Sequence, residues 1–188
     1  MTERTRRLPE DPASLRMERG SDGGGGQAFL DSPRAQAVRA KEFDRLAAEV
    51  ARLVAALELP ASDFRREVRR APDRCIVQIG PVALTISWLR GSSEQVTDGR
   101  LLVIEWLGIV ARGRTRIPER VESRANAPAE AVPAAIQQES VLLAVATGAD
   151  DWLWQPEDGR LAGCTSIELA VSCVESLRQR VDRIPRSA

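Results

Sequence analysis

Acidic residues gather around two tryptophans near the end of the chain, where they could carry metal or acid/base chemistry. They are Asp150, Asp151, Glu157 and Asp158, set around Trp152 and Trp154. Carboxylates at a turn can bind Mg²⁺ or Ca²⁺, but this spacing matches no EF-hand loop, and Asp158-Gly159 is typical of a tight turn. We therefore expect a solvated acidic rim over 150–158, with a metal-dependent enzyme as the alternative.

Glu105 is a second candidate because it interrupts an otherwise apolar run over 101–107. An ionised carboxylate is costly in a protein interior unless it has a partner. We predict that Glu105 faces water on the solvent side of a strand. The alternative is an internal polar site, in which Glu105 together with Asp151 or Asp158 could do acid/base work.

The stretch 63–74 is the most basic part of the chain. Its candidate phosphate contacts are Arg65, Arg66, Arg69 and Arg70. Alternation would place Phe64 and Val68 on one side of a strand that ends in a turn over 71–73, and charged side chains protect the edge of a sheet. We predict an edge strand. A nucleic-acid-binding accessory protein that uses the 65–74 ridge is the alternative, although three acidic residues dilute its charge and no aromatic residue is interleaved for base stacking.

Histidine is absent from the 188 residues, which removes the most common general base and a frequent zinc ligand. Ser-His and Cys-His nucleophiles are therefore excluded within this chain. The three cysteines, Cys75, Cys164 and Cys173, are an odd number without CxxC spacing, which favours the reducing cytoplasm. Cys164 precedes a helix start, so a thiolate of lowered pKa competes there with a packing role. We predict no catalytic residue, no cofactor and no metal.

Composition limits the partners and the number of domains. The chain has 27 basic and 27 acidic residues, so net charge offers no general attraction to nucleic acid or to an anionic membrane. Its 43% of apolar residues are enough for one core, and no apolar run reaches the roughly 18 residues of a membrane helix. We predict a disordered tail over 1–30, which contains the glycine run 23–26, and a single domain over 31–188 with a flexible loop at 112–138.

Hydrophobic patterns predict the fold class. Strand-like composition runs through 74–89, 100–110 and 140–147, and one wholly apolar side is formed by Val82, Leu84, Ile86 and Trp88. Ser32-Pro33 is a typical helix start, and Thr165 with Glu168 has the spacing of a capping box. We predict an α+β fold, in which an antiparallel sheet of about four or five strands carries an N-terminal and a C-terminal helix on the same face.

Tryptophan supplies the main functional hypothesis. Four of the seven aromatic residues are tryptophan, at Trp88, Trp106, Trp152 and Trp154. Tryptophan is a common anchor in protein interfaces, although these residues could equally belong to a core. We expect a non-catalytic module for protein–protein interaction or assembly, of an adaptor, accessory or chaperone-like kind. Its partner would be another protein or a second copy in a homodimer, bound through the sheet face that the helices leave bare.

Overall fold

The structure of the chain is a computed structural model that describes residues 23–59, 64–93, 95–110, 134–148, 151–159 and 161–184. In chain order the described elements are α1 Gly23–Leu30, α2 Pro33–Ala56, β1 Arg66–Ala71, β2 Arg74–Ile79, β3 Val82–Leu89, β4 Arg100–Leu107, β5 Ala135–Ala146, β6 Trp152–Pro156 and α3 Ser166–Asp182. Residues 1–22 of the predicted tail and 112–133 of the predicted loop lie outside the described residues.

The strands form one antiparallel sheet of six, and their spatial order is their order in the chain. The predicted α+β class is therefore confirmed, with more strands than expected because β2 and β3 are separate and Trp152–Pro156 adds a further strand. Gly80 makes the tight turn between β2 and β3 with a φ of 53°, a conformation that favours glycine. A register shift between Glu105 and Trp106 marks an irregularity where β4 pairs with β5.

Both long helices begin at the residues that the sequence predicts. The Ser32 hydroxyl accepts a hydrogen bond from the Ala35 amide (3.3 Å), and proline follows at the first helical position of α2. At α3, Thr165 and Glu168 make both hydrogen bonds of the capping box. These caps satisfy amides that would otherwise lack partners at the helix starts.

The helices cover one face of the sheet, which we call the inner face. Alternate residues of the strands point into this face and form one core with α1, α2 and α3. Its most buried members include Phe43, Leu46, Val77, Leu84, Ile86, Leu101 and Leu177. The opposite face, which we call the outer face, carries residues such as Gln78, Thr85 and Trp106. It also buries the apolar side chains of Ala83, Leu102 and Ile104, which lie outside the inner-face cluster.

Two predicted segment boundaries need correction. Residues 23–30 form α1 rather than part of a tail, because Leu30 is buried in the core and Gly26 lets the helix approach Ala146 closely. A Cβ atom at Gly26 would lie 3.1 Å from that of Ala146. The predicted loop also overlaps a strand, since 135–138 are the first residues of β5 and pair with the end of β4.

Candidate functional site

The structure places three of the four tryptophans in the core, not on the bare face where we expected partner contacts. Trp88, Trp152 and Trp154 are 5%, 7% and 0% exposed. The Trp154 ring meets the other two at an angle, with centroids 6.0 Å from Trp88 and 5.7 Å from Trp152. The cause is strand pairing, which sets Trp152 and Trp154 opposite Ala146 and Ala144 on the inner face. A partner cannot contact these rings without opening the core.

A chain of hydrogen bonds joins this tryptophan cluster to both long helices. The Trp154 indole N–H donates to the Ser166 hydroxyl (3.0 Å), which in turn donates to the Glu42 carboxylate (2.7 Å). Ser166 is 3% exposed, so its hydroxyl is engaged and shielded from any substrate. The arrangement satisfies buried polar groups and connects α2, α3 and β6.

Arg39 lies against the same cluster from α2. The central carbon of its guanidinium is 5.6 Å from the centroid of the Trp88 ring, a cation–π arrangement. Burial lowers the pKa of Arg39 and the charge of Arg90 lowers it further, whereas Asp73 opposes the shift. Sequence reasoning missed this residue, although Arg39 lies four residues from both Ala35 and Phe43 on the buried stripe of α2.

Glu105 lies on the inner face and is 4% exposed, so the prediction that it faces water is wrong. Alternation places it on the same side as Leu101 and Val103, which α3 covers. The carboxylate is tolerated there because the Arg180 guanidinium, in the last turn of α3, donates to it. Arg180 also donates to the Gln138 side chain (3.2 Å). Glu105 thus joins the sheet to α3 as one half of a buried ion pair.

The acids around β6 do not converge with Glu105. Asp151, Glu157 and Asp158 are exposed, and Glu157 forms an ion pair with Arg100 (3.1 Å). Asp150 lies outside the described residues. Glu157 and Asp158 line an open groove of about 430 Å³ that also includes Glu139. In the part of the chain that the structure describes, no cluster of three or more potential metal ligands occurs.

The arginines predicted as phosphate contacts are divided between the two faces of β1. On the inner side, Arg66 donates to the carbonyl of Ala55 near the end of α2 (2.7 Å). Arg70 donates to the carboxylate of Asp44 on the same helix (2.5 Å). Both side chains therefore tie β1 to α2.

The other two arginines lie elsewhere. Arg69 is on the outer side of β1 and donates to Glu67 on its own strand (2.8 Å from Nε). Arg65 precedes the strand and is exposed. The four guanidinium groups thus do not form one continuous ridge.

The three cysteines are free thiols. Burial raises the pKa of Cys75 to about 11 and that of Cys173 to about 12. Burial also raises the pKa of Cys164, and the carboxylate of Glu168 adds to this shift. The hypothesis of a low-pKa thiolate at Cys164 is therefore wrong, because burial and, to a smaller extent, the Glu168 carboxylate both disfavour the thiolate.

The outer face is partly covered by the chain that follows β4. The Gln78 side chain donates to the carbonyl of Gly108 (3.1 Å) and accepts from the amide of Val110 (3.1 Å). Next to this contact is a small groove of about 170 Å³, lined in part by Glu67, Arg69 and Ile109. Ile109 is 68% exposed, so an apolar side chain lies in the open beside β1.

The last tryptophan, Trp106, is half-buried on the outer face. Its indole N–H donates to the Thr85 hydroxyl (3.1 Å) across the neighbouring strand. Of the four tryptophans predicted to contact a partner, Trp106 is therefore the one on the outer face, and its indole N–H already has a hydrogen-bond partner.

The two outermost strands differ in what their free edges offer. At β6, the amide and carbonyl of Trp154 bond those of Cys164 (2.8 and 2.9 Å), and Pro156 has no amide hydrogen to donate. At β1, no other strand among the described residues pairs with the edge that faces away from β2. The sheet thus has one largely closed edge and one open edge.

The backbone direction along β1 identifies the groups at the open edge. The Gly80 amide donates to the Arg65 carbonyl (3.4 Å), so Arg65 and, by alternation, Glu67 and Arg69 turn their backbone groups toward β2. Arg66, Val68 and Arg70 therefore turn their N–H and C=O groups outward. No protein-family model, curated protein or solved structure shows a significant match to this chain.

The described helices include none that is both long enough and apolar enough to cross a membrane. Sequence reasoning identified β1 as an edge strand but missed which of its backbone groups face outward. That information depends on the pairing register with β2, which no composition signal reveals.

Proposed function

We propose that this chain is a non-catalytic protein-interaction or assembly module that binds its partner by adding a strand to β1. The open edge of β1 is the observation that carries this proposal, because three residues there present backbone donors and acceptors in a row. Strand addition derives its affinity from such main-chain hydrogen bonds and its specificity from the side chains that alternate along the strand.

The surroundings of β1 support the same choice. Arg66 and Arg70 are held by α2, so the strand is fixed in an extended form before a partner arrives. A preformed strand loses less conformational entropy on binding than a flexible one. The exposed side chain of Ile109 lies beside the strand and offers apolar surface that a partner can cover. We also propose a cytoplasmic location, since free cysteines suit a reducing compartment.

A proline at position 68 tests the proposal. Val68→Pro removes one outward amide but leaves the β1–β2 hydrogen bonds in place, because the Val68 backbone faces away from β2. Val68→Thr is the matched control, since threonine is similar in shape and keeps the amide. Both variants and the wild type would be purified with a tag from the native cell, and each recovered partner would be re-tested as a purified protein.

We expect a partner, either another protein or an additional copy of the chain, whose binding is lost in Val68→Pro and kept in Val68→Thr. Amide exchange measured by NMR gives a second readout. In the free chain the Val68 amide should exchange faster than those of Glu67 and Arg69, and binding should slow it. If no association differs between the two variants, strand addition at β1 is not the function of this chain.

A further inference from the structure

We infer that a second copy of this chain occupies the open edge, through antiparallel pairing of the two β1 strands about a two-fold axis at Val68. This inference rests on the proposed function and names its partner. The pairing would join two six-stranded sheets into one continuous sheet. Closed two-fold dimers are the most common form of symmetric assembly.

Backbone direction restricts the possible registers. Only Arg66, Val68 and Arg70 face outward, so only these residues can exchange hydrogen bonds with their counterparts. A two-fold axis through residue 67, 68 or 69 pairs at least two of these three residues with counterparts, whereas an axis through Arg66 or Arg70 pairs only one. The axis at Val68 gives the longest overlap, because Arg66 faces the partner's Arg70, Val68 faces the partner's Val68, and about six backbone hydrogen bonds can form.

Charge selects the same register on the outer face. An axis at residue 67 would set the two Glu67 carboxylates against each other, and an axis at residue 69 would do the same to the two Arg69 guanidinium groups. With the axis at Val68, each Glu67 lies directly across from the partner's Arg69. These residues are already an ion pair within one chain (2.5 Å), so the dimer would hold four alternating charges. Opposite charges directly across an antiparallel pair stabilise it, and like charges destabilise it.

The inner-face side chains of β1 are also compatible with a two-fold axis at Val68. There Arg66 faces the partner's Arg70, which are like charges, but Arg70 brings the Asp44 carboxylate with it (2.5 Å). Arg66 is bound to a carbonyl at the end of α2. The repulsion between these arginines is therefore reduced by partners that each chain already supplies.

Charge reversal at Glu67 and Arg69 tests the register. In Glu67→Arg the facing residues are both arginine, and in Arg69→Glu they are both glutamate, so each variant should dissociate. An equimolar mixture of the two variants places arginine across from glutamate at both positions and should form a heterodimer. The double variant Glu67→Arg/Arg69→Glu restores opposite charges and should dimerise again.

Sedimentation velocity over a concentration series is the measurement. The wild type should approach twice the 20.6 kDa of one chain, and each single variant should show a Kd raised roughly ten-fold or more. Arg178→Glu is the control, because Arg178 forms a similar exposed ion pair with Glu175 on α3. It should dimerise like the wild type.

The outcomes separate this inference from the proposed function. A monomeric wild type, or single variants that dimerise unchanged, or a mixture that fails to associate would overturn the second copy as partner. If the wild type is monomeric but Val68→Pro still loses another protein partner, strand addition stands and only the identity of the partner is wrong.

Discussion

Arg180→Met should destabilise the protein more than removal of the carboxylate that Arg180 contacts. Glu105 is 4% exposed, so the loss of Arg180 leaves a charge in the interior without its ionic partner. Breaking a fully buried ion pair costs about 3–5 kcal/mol. The side chain of Arg180 is 24% exposed, which reduces the expected loss to about 2–3 kcal/mol.

Substitution of Glu105 should lower the free energy of unfolding less than substitution of Arg180. In Glu105→Leu the buried charge is gone, and Arg180 can turn its guanidinium into water because part of it is already exposed. We expect a loss of about 1 kcal/mol or less, and the double variant Glu105→Leu/Arg180→Met should lie within about 1 kcal/mol of the wild type. The free energy of unfolding would be measured by urea denaturation, with the fluorescence of the buried tryptophans as the signal.

The double-mutant cycle tests whether the losses from the two single substitutions are additive. The reasoning holds only if the two single losses do not add, because the second substitution removes the charge that the first one leaves without its partner. Additive losses, or a larger loss in Glu105→Leu than in Arg180→Met, would show that the buried carboxylate does not depend on Arg180.

Three further predictions concern single residues. Thr165→Ala should cost about 1 kcal/mol of unfolding free energy. The backbone amide of Thr165, and after it the hydroxyl, lower the pKa of Glu168 by donating hydrogen bonds to its carboxylate. Alanine keeps the amide, so Thr165→Ala should remove only the share of this pH-dependent stability that the hydroxyl supplies, which is complete above the ordinary pKa of a glutamate and fades as the pH falls through the lowered value. Cys75 and Cys173, with pKa values raised to about 11 and about 12 by burial, should react slowly with a thiol reagent at pH ~8 until urea unfolds the chain. Gly99→Ala should lower the midpoint of urea unfolding, because its Cβ would lie 2.0 Å from the ring of a core tryptophan and overpacking costs roughly 1–3 kcal/mol.

The elements of the fold were predictable because their signals are local. Caps at Ser32 and Thr165 and the alternation in β3 depend on residues only a few positions apart, and these predictions are confirmed. The face on which each strand places its side chains was not predictable in the same way. A shift of one residue in register turns a whole strand over, so Glu105 and three tryptophans could be assigned to either face until the pairing was known.

The inner-face contacts also explain why the open edge carries a self-complementary charge pattern. Arg66 and Arg70 are held by α2, so their positive charges are directed toward the body of the protein. The outer face of β1 keeps Glu67 and Arg69, one residue on either side of Val68. A positive and a negative residue placed symmetrically about the centre of a strand match a second antiparallel copy of the same strand. They discourage copies in the neighbouring registers, where like charges meet. The same side chains that protect the edge from indiscriminate pairing can therefore select one partner and one register.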